Sequence, residues 1–352
     1  MILKKQERLA RAPMRRRPGN IENTKMRIIV TGSIAVDYLM TFSGRFTDSL
    51  VGDRLDKVSL SFLVNNLIIR RGGVAANISL GMARLGFSPV LAAAAGTDFA
   101  DYHSHLAENG VDMQSVYLSD SQLTARFSCT SDAAQNQIAS FYSGAMSEAV
   151  NIKLSDHEPF DLALIGPNDP AAMLSYTDEC RAKGYRFAAD PSQQLGFLGG
   201  PDIRRLVVGA DYLFTNEYEH ALLLEKTGWT NEEVLDAVSV WITTRGSMGV
   251  QIERARQSEV LVPAVPARGT LEPTGVGDGF RAGFLTAIAS GLDLYDSAMV
   301  GCTLATLVLE SDGPQEYDLR PSAFIGRLAE TYGDAAATRI SARVAVLSGS
   351  AI

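Results

Sequence analysis

The chain has 352 residues, 46% of them hydrophobic and 20% charged, a near-average composition that excludes a disordered, collagenous or coiled-coil protein. Its net charge of −8 conceals two unlike parts: residues 1–25 carry eight Lys/Arg and two Glu, a local +6, and the remainder stands at −14. An acidic body excludes a nucleic-acid-binding core, because phosphate contacts need clustered cations.

Three widely spaced cysteines, Cys129, Cys180 and Cys302, give no disulfide framework and no zinc spacing, which fits a reducing cytoplasm. No stretch is long and apolar enough for a transmembrane span. The basic N-terminus has no apolar segment of the secretory kind, so residues 1–25 read as a disordered, solvated leader, and Met26 is a candidate start.

In chain order, 26–31 reads as a buried strand. Segments 58–64 and 67–70 read as strands around an Asn65-Asn66 turn, and 75–85 as a helix stopped by Gly86. A strand at 89–95 and a helix at 101–109 follow. Residues 123–130 and 137–142 read instead as two antiparallel strands around a polar turn, so 40–71 and 122–143 form a separate small sheet. Strands are then expected at 162–165, 186–189, 212–214, 240–243 and 249–252, and helices at 170–183, 201–209, 217–227, 231–237, 278–290, 294–310 and 321–332. This rhythm predicts an α/β fold, a mainly parallel sheet with helices on both faces, over about 26–340.

The stretch Glu272-Pro-Thr-Gly-Val-Gly-Asp-Gly-Phe-Arg-Ala-Gly-Phe284 carries the most chemistry. Gly275 and Gly277 turn the chain before a helix that begins near Asp278, so free N–H groups and the helix dipole make an anion site. A carboxylate there would repel the anion, unless it serves to take a proton from a neighbouring hydroxyl. The plain alternative is an N-cap Asp after a glycine turn. A second glycine pair, Arg71-Gly72-Gly73-Val-Ala-Ala-Asn77, also precedes a helix; it is neither a Walker loop nor a dinucleotide fingerprint.

Together, Gly72-Gly73-x-x-x-Asn77 and Thr274-Gly-Val-Gly-Asp278 resemble the paired signatures of the ribokinase-like (pfkB) carbohydrate kinase family. Asn216-Glu-Tyr-Glu219 matches that family's N-x-x-E element, and Thr244-Arg-Gly246-Ser-Met-Gly249 its nucleotide loop. The resemblance runs from Met26 to about Thr331 and is nearest to the bacterial adenosine kinases, on segments such as Thr31–Asp37, Lys57–Val64, Ala139–Glu148 and Ala189–Gln194. It implies a three-layer α/β/α domain with a small β-sheet lid.

By that resemblance Asp278 is the base and the amides of Gly275, Val276 and Gly277 hold the transferred phosphoryl group. Ser33, Asp37, Gly72, Gly73, Asn77 and Gln193 bind the nucleoside, and its purine stacks between Phe127 and Phe141; for those two rings, core or interface packing is the alternative. Gln194, Asn216, Thr244, Gly246 and Gly249 bind ATP, and Glu219, through water, and Asn216 organise Mg²⁺. The implied reaction is transfer of the ATP γ-phosphoryl group to the adenosine 5′-hydroxyl, giving AMP and ADP in purine salvage. A homodimer paired through the lid sheets is implied too, with no nucleic-acid or membrane partner. Glu272-Pro273 stands where the family has Asp-Thr, and Val276 where it has Ala, which leaves a K⁺ requirement open. A sugar kinase or other nucleoside kinase of the family, or a catalytically silent binding protein, remains the alternative.

Overall fold

The computed structural model describes residues 26–49, 61–269 and 272–347; the basic leader and residues 58–60 of an expected strand lie outside these. Strand β1 (Ile28–Thr31) is buried along its whole length. It is followed by β2 (Ala35–Thr41), the short helix α1 (Phe46–Ser49), β3 (Asn66–Gly72) and α2 (Val74–Arg84). Next come β4 (Val90–Ala92), β5 (Ala94–Ala95), α3 (Ala100–Glu108), β6 (Tyr117–Leu118), β7 (Ala125–Ser131) and β8 (Gln137–Tyr142). A regular alternation then runs through β9 (Leu162–Ile165), α4 (Pro170–Lys183), β10 (Phe187–Ala189), α5 (Gly200–Val207), β11 (Tyr212–Asn216) and α6 (Glu217–Thr227). Helix α7 (Asn231–Ala237) precedes β12 (Val240–Thr244), β13 (Val250–Glu253) and β14 (Val260–Val262). Four helices close the described chain, α8 (Val276–Ala289), α9 (Leu294–Leu309), α10 (Pro321–Tyr332) and α11 (Asp334–Ser341).

The large sheet has the order β14-β13-β12-β11-β10-β9-β1-β4, parallel from β12 to β4 and antiparallel at β13 and β14. Its strands are apolar on both faces, as a doubly covered parallel sheet requires. Ile28 and Val30 join α2, α8 and α9 in one core, while Ile29, Ala163 and Ile165 join α4 and α5 in the other. From β1 the chain builds outward first to β4 and then to β9 on the opposite side, so the strand order reverses at β1. Ligands bind outside the carboxyl ends of parallel strands at such a reversal.

The small sheet has the order β3-β2-β7-β8. Strand β2 is the element missing from the sequence-based expectation, and residues 61–64, expected as strand, carry none. Ala35–Thr41 follows β1 after only three residues and is mostly half-buried, so it lacks the buried apolar run that marks its neighbour. The run at 89–95 is split: β4 stays in the large sheet and β5 leaves it to pair with β6.

Helix α8 is held on the sheet by Phe280 and Phe284, whose rings meet Phe214 of β11 edge-on with centroids 6.5 and 5.6 Å apart. Against α9 it makes a backbone-to-backbone approach: a Cβ added to Gly283 would lie 2.8 Å from both Gly301 Cα and the Val300 carbonyl oxygen. We expect Gly283→Ala to destabilise the protein by about 1–3 kcal/mol, the usual cost of overpacking a close contact. Urea denaturation checks this, and an unchanged midpoint would mean that the two helices can separate at little cost.

Candidate functional site

Helix α8 begins at Val276, two residues before Asp278. Gly275 caps it at φ 78°, where a Cβ would also come within 2.4 Å of Pro314; both facts demand glycine. The Val276 N–H donates to the Pro273 carbonyl at 3.3 Å, so that amide is spent. The N–H groups of Gly277 and Asp278 have no partner among the described residues, and they lie at the positive end of the helix dipole. Of the Gly275–Gly277 set expected, Val276 is the member whose amide is spent, and Asp278 adds a free one.

Asp278 sits in that first turn with its carboxyl opening on a cavity of about 770 Å³. Asn77 Nδ2 donates to its Oδ2 at 2.8 Å. Burial pushes the Asp278 carboxyl up to about 7, against the pull of the Asn77 hydrogen bond and the Arg281 guanidinium and with a push from Asp190 and Asp37. Such a group is half protonated near neutrality, where a general base works best.

Asn77 lies on the first turn of α2, which Gly73 caps at φ 92°. Ser33, just after β1, ties this turn down: its hydroxyl accepts from Val74 N at 3.0 Å and its carbonyl from Ala75 N at 3.1 Å. Gly72 does not line the cavity. It is packed against the Asp37 carboxyl, which a Cβ there would meet at 2.8 Å.

Asp37 belongs to a row that crosses the whole small sheet. In register, Arg70 of β3 pairs with Asp37 of β2, Asp37 with Phe127 of β7, and Phe127 with Phe141 of β8. Laterally paired residues share a face, and Asp37, Phe127 and Phe141 all line the cavity. The two aromatic residues therefore stand on neighbouring strands of the same cavity-lining face. Burial pushes Asp37 up to about 6 against the pull of Arg70.

The opposite wall comes from the carboxyl ends of β10, β11 and β12. Asn216 and Glu219 form a capping box at the start of α6: Asn216 Oδ1 accepts from Glu219 N at 2.8 Å, and Glu219 Oε2 accepts from Asn216 N at 2.8 Å. Glu219 Oε1 accepts from Ser192 Oγ at 3.3 Å. Gln193, Thr244 and Gly246 also line this wall. Gln194 does not: its Nε2 donates to the Asn168 carbonyl at 2.9 Å, because the short helical turn at 192–196 points it into the fold. Gly249 and Val276 line a second, more apolar cavity of about 610 Å³, which shares Thr244, Gly246 and Gly277 with the first.

Sequence reasoning passed over Ser192, Glu217, Thr274, Asp190 and Arg281. Arg281 lies in the same glycine-rich stretch as Asp278, and an arginine among the apolar residues of a helix was the signal available. It is buried, its Nη1 donating to the Gly277 carbonyl at 3.0 Å and its Nη2 to Asp190 Oδ1 at 2.6 Å. Burial pushes Asp190 up to about 6, with Arg281 pulling the other way. Glu272, at the departure from the expected Asp-Thr, accepts from the Thr274 hydroxyl at 2.7 Å and lies 3.9 Å from Arg70. His220 is stacked on the buried Trp241 ring, with centroids 3.8 Å apart.

A family model of pfkB carbohydrate kinases matches residues 31–320. A nucleoside kinase of Methanocaldococcus jannaschii is 28% identical over 249 residues, spanning 69% of this chain and 80% of that protein. The structure of Burkholderia thailandensis nucleoside kinase in complex with inosine superposes with a TM-score of 0.77 at 32% identity, covering 87% of this chain and 98% of that one. A ribokinase from Thermotoga maritima, at 19% identity and a TM-score of 0.68, shares the fold.

Because burial raises the Asp278 carboxyl from its ordinary 3.8 to about 7, its ionised form costs stability, fully above pH 7 and not at all below the unfolded value. Asp278→Asn should therefore raise Tm by about 2–4 °C at pH 8, with the gain vanishing toward pH 4. A scan of Tm against pH reads this directly, and a lower Tm at pH 8 would contradict it.

Proposed function

The chain belongs to the pfkB family of carbohydrate kinases, and on that premise we propose that it transfers the γ-phosphoryl group of ATP to the 5′-hydroxyl of a nucleoside, with adenosine the preferred acceptor, releasing AMP and ADP. One observation carries this reading: Asp278 with its unpaired amides, the Asp37 carboxyl and the paired rings of Phe127 and Phe141 all face a single cavity.

The nucleoside lies with its base across Phe127 and Phe141 and its ribose hydroxyls on Asp37, beside Gly73 and Asn77. That leaves the 5′-hydroxyl directed at Asp278, which takes its proton as oxygen attacks phosphorus. The N–H groups of Gly277 and Asp278 receive the charge that develops on the phosphoryl oxygens. The base of ATP occupies the apolar cavity beside Gly249 and Val276, and its phosphates pass Thr244, Gly246 and Asn216 into the polar one. Mg²⁺ on those phosphates would neutralise their charge, and the residues suit it: Glu219 is fixed by its cap, with lone pairs left for a metal-bound water. Glu217 and Glu219 line the same wall, where a bare polyphosphate would be repelled.

The outer face of the small sheet supports a homodimer. Leu67, Ile69, Ile138 and Tyr142 are between 44% and 57% exposed there, and they alternate with the cavity-facing row. A twofold pairing of this face buries them. Ile69→Lys should convert dimer to monomer in sedimentation equilibrium; a monomeric wild type would remove the dimer from the reading.

For the chemistry, Asp278→Asn should lower kcat by about 10²–10⁴-fold with nucleoside affinity retained, and a near wild-type kcat would overturn the role of Asp278. For the wild type, kcat/KM should fall as pH drops through about 7, where Asp278 becomes protonated. Across adenosine, inosine, guanosine, ribose and fructose, Phe141→Ala should weaken the nucleosides by about 1–3 kcal/mol and leave the free sugars unchanged. Equal losses for both classes would point to a sugar kinase.

A further inference from the structure

Gln315 belongs to none of the motifs above. It lies between α9 and α10 and is 2% exposed, in contact with two other buried polar side chains, Tyr102 of α3 and Asn77 of α2. Tyr102 Oη donates to the Gly72 carbonyl at 2.8 Å. Gln315 Nε2 donates to Tyr102 Oη at 2.5 Å and to Asn77 Oδ1 at 2.8 Å. Asn77 Nδ2 then donates to Asp278 Oδ2 at 2.8 Å.

The direction of this chain is determined at its far end. A carbonyl oxygen can only accept, so Tyr102 must spend its one proton on Gly72. Its oxygen is then left to accept, and Gln315 must offer the amide nitrogen to it. The second proton of that nitrogen requires Asn77 to present its oxygen, which turns the Asn77 nitrogen to Asp278. Reversing either amide would set like groups against each other in a buried place, the costly arrangement. Gln315 Oε1 faces His105 Nε2, whose proton affinity it raises, and neither atom has another partner among the described residues. Gln315 is thus oriented by Tyr102 and Asn77 through its nitrogen, and its oxygen, turned to His105, fits the same orientation.

We propose that Gln315, acting with Tyr102, is a positioning residue that fixes the Asn77 amide with its donor toward Asp278, and so holds the catalytic carboxyl in its proton-accepting form. The chemical role of Asp278 rests on the kinase reading above; the relay itself does not. A donor stabilises the carboxylate, whereas a flipped Asn77 would offer an acceptor and favour the protonated acid. The other charged or titratable groups that face Asp278 are Arg281 on its own helix, Asp190 after β10, Asp37 on β2 and Tyr102 on α3, with Glu217 and Glu219 across the cavity. None of these changes its charge when Gln315 is replaced by a neutral residue.

The test is a pH titration of the Asp278 carboxyl by ¹³C NMR, assigned by difference against Asp278→Asn, in wild type, Gln315→Met, Asn77→Ala and the double variant. Gln315→Met should move the Asp278 midpoint up by about one pH unit, the scale of a lost hydrogen bond to a carboxylate. It should move nothing further in the Asn77→Ala background. An unmoved midpoint in the single variant, or equal movement in both backgrounds, would overturn the relay. If Gln315→Met does not fold, as judged by its thermal melt, Tyr102→Phe removes one hydroxyl and should move the midpoint in the same direction. The acidic limb of kcat/KM for adenosine should follow the NMR midpoint, with KM little changed. A moved midpoint in a protein that phosphorylates no nucleoside sinks the kinase reading and leaves the relay standing; turnover with an unmoved midpoint does the reverse.

Discussion

The hydrogen bond from Asn77 to Asp278 joins residues 201 positions apart in the chain, and it marks the point where two helices bring their first turns together. Both helices start after a glycine with positive φ; the first amides of α2 are spent on Ser33, while α8 leaves those of Gly277 and Asp278 open. Small residues let them meet: a Cβ added to Gly81 of α2 would stand 2.7 Å from the Ala282 methyl of α8. The close crossing of α8 on α9 and the aromatic contacts to β11 then fix where Asp278 can lie. Moving any of these contacts by the width of a methyl group would move the carboxyl away from the cavity floor.

The cavity is acidic for a phosphate-handling site. Asp37, Glu217, Glu219 and Asp278 line it, while the one cation lining it among the described residues, Arg281, is already paired with Asp190. Anion binding there must rest on backbone dipoles and on a cation brought with the ligand, which is why a body of net charge −14 and phosphate chemistry are compatible. Burial raises the proton affinity of Asp37, Asp190 and Asp278 together, and neighbouring carboxylates add to it at Asp190 and Asp278. Stability is given up for this, as is usual where a site is arranged for chemistry.

Much of this was legible in the order of residues. The parallel rhythm of β9 to β12 came from short apolar runs bounded by turn residues, since a strand buried on both faces needs little else. The glycine turns before α2 and α8 were visible because only glycine takes their backbone angles. The Asn216 and Glu219 cap is a bond between residues three apart, so its spacing alone sufficed. Strand β2 escaped because its side chains are half-buried and Asp37 interrupts its apolar face. Gln194 was expected on the ATP side from the family resemblance, and a single turn of helix pointed it elsewhere.

What the sequence determined by itself is local: where helices start, which strands are doubly buried, and which residues carry acid, amide or aromatic chemistry. Only the tertiary structure decided which of these meet. The row from Arg70 through Asp37 and Phe127 to Phe141 exists because β3, β2, β7 and β8 pair in one register, and a slip of one residue would turn the whole row outward. The relay from Gly72 through Tyr102, Gln315 and Asn77 draws on a strand end, two helices and a loop. Such partners are chosen by packing and by the need to satisfy every buried donor, and neither leaves a periodic trace along the chain.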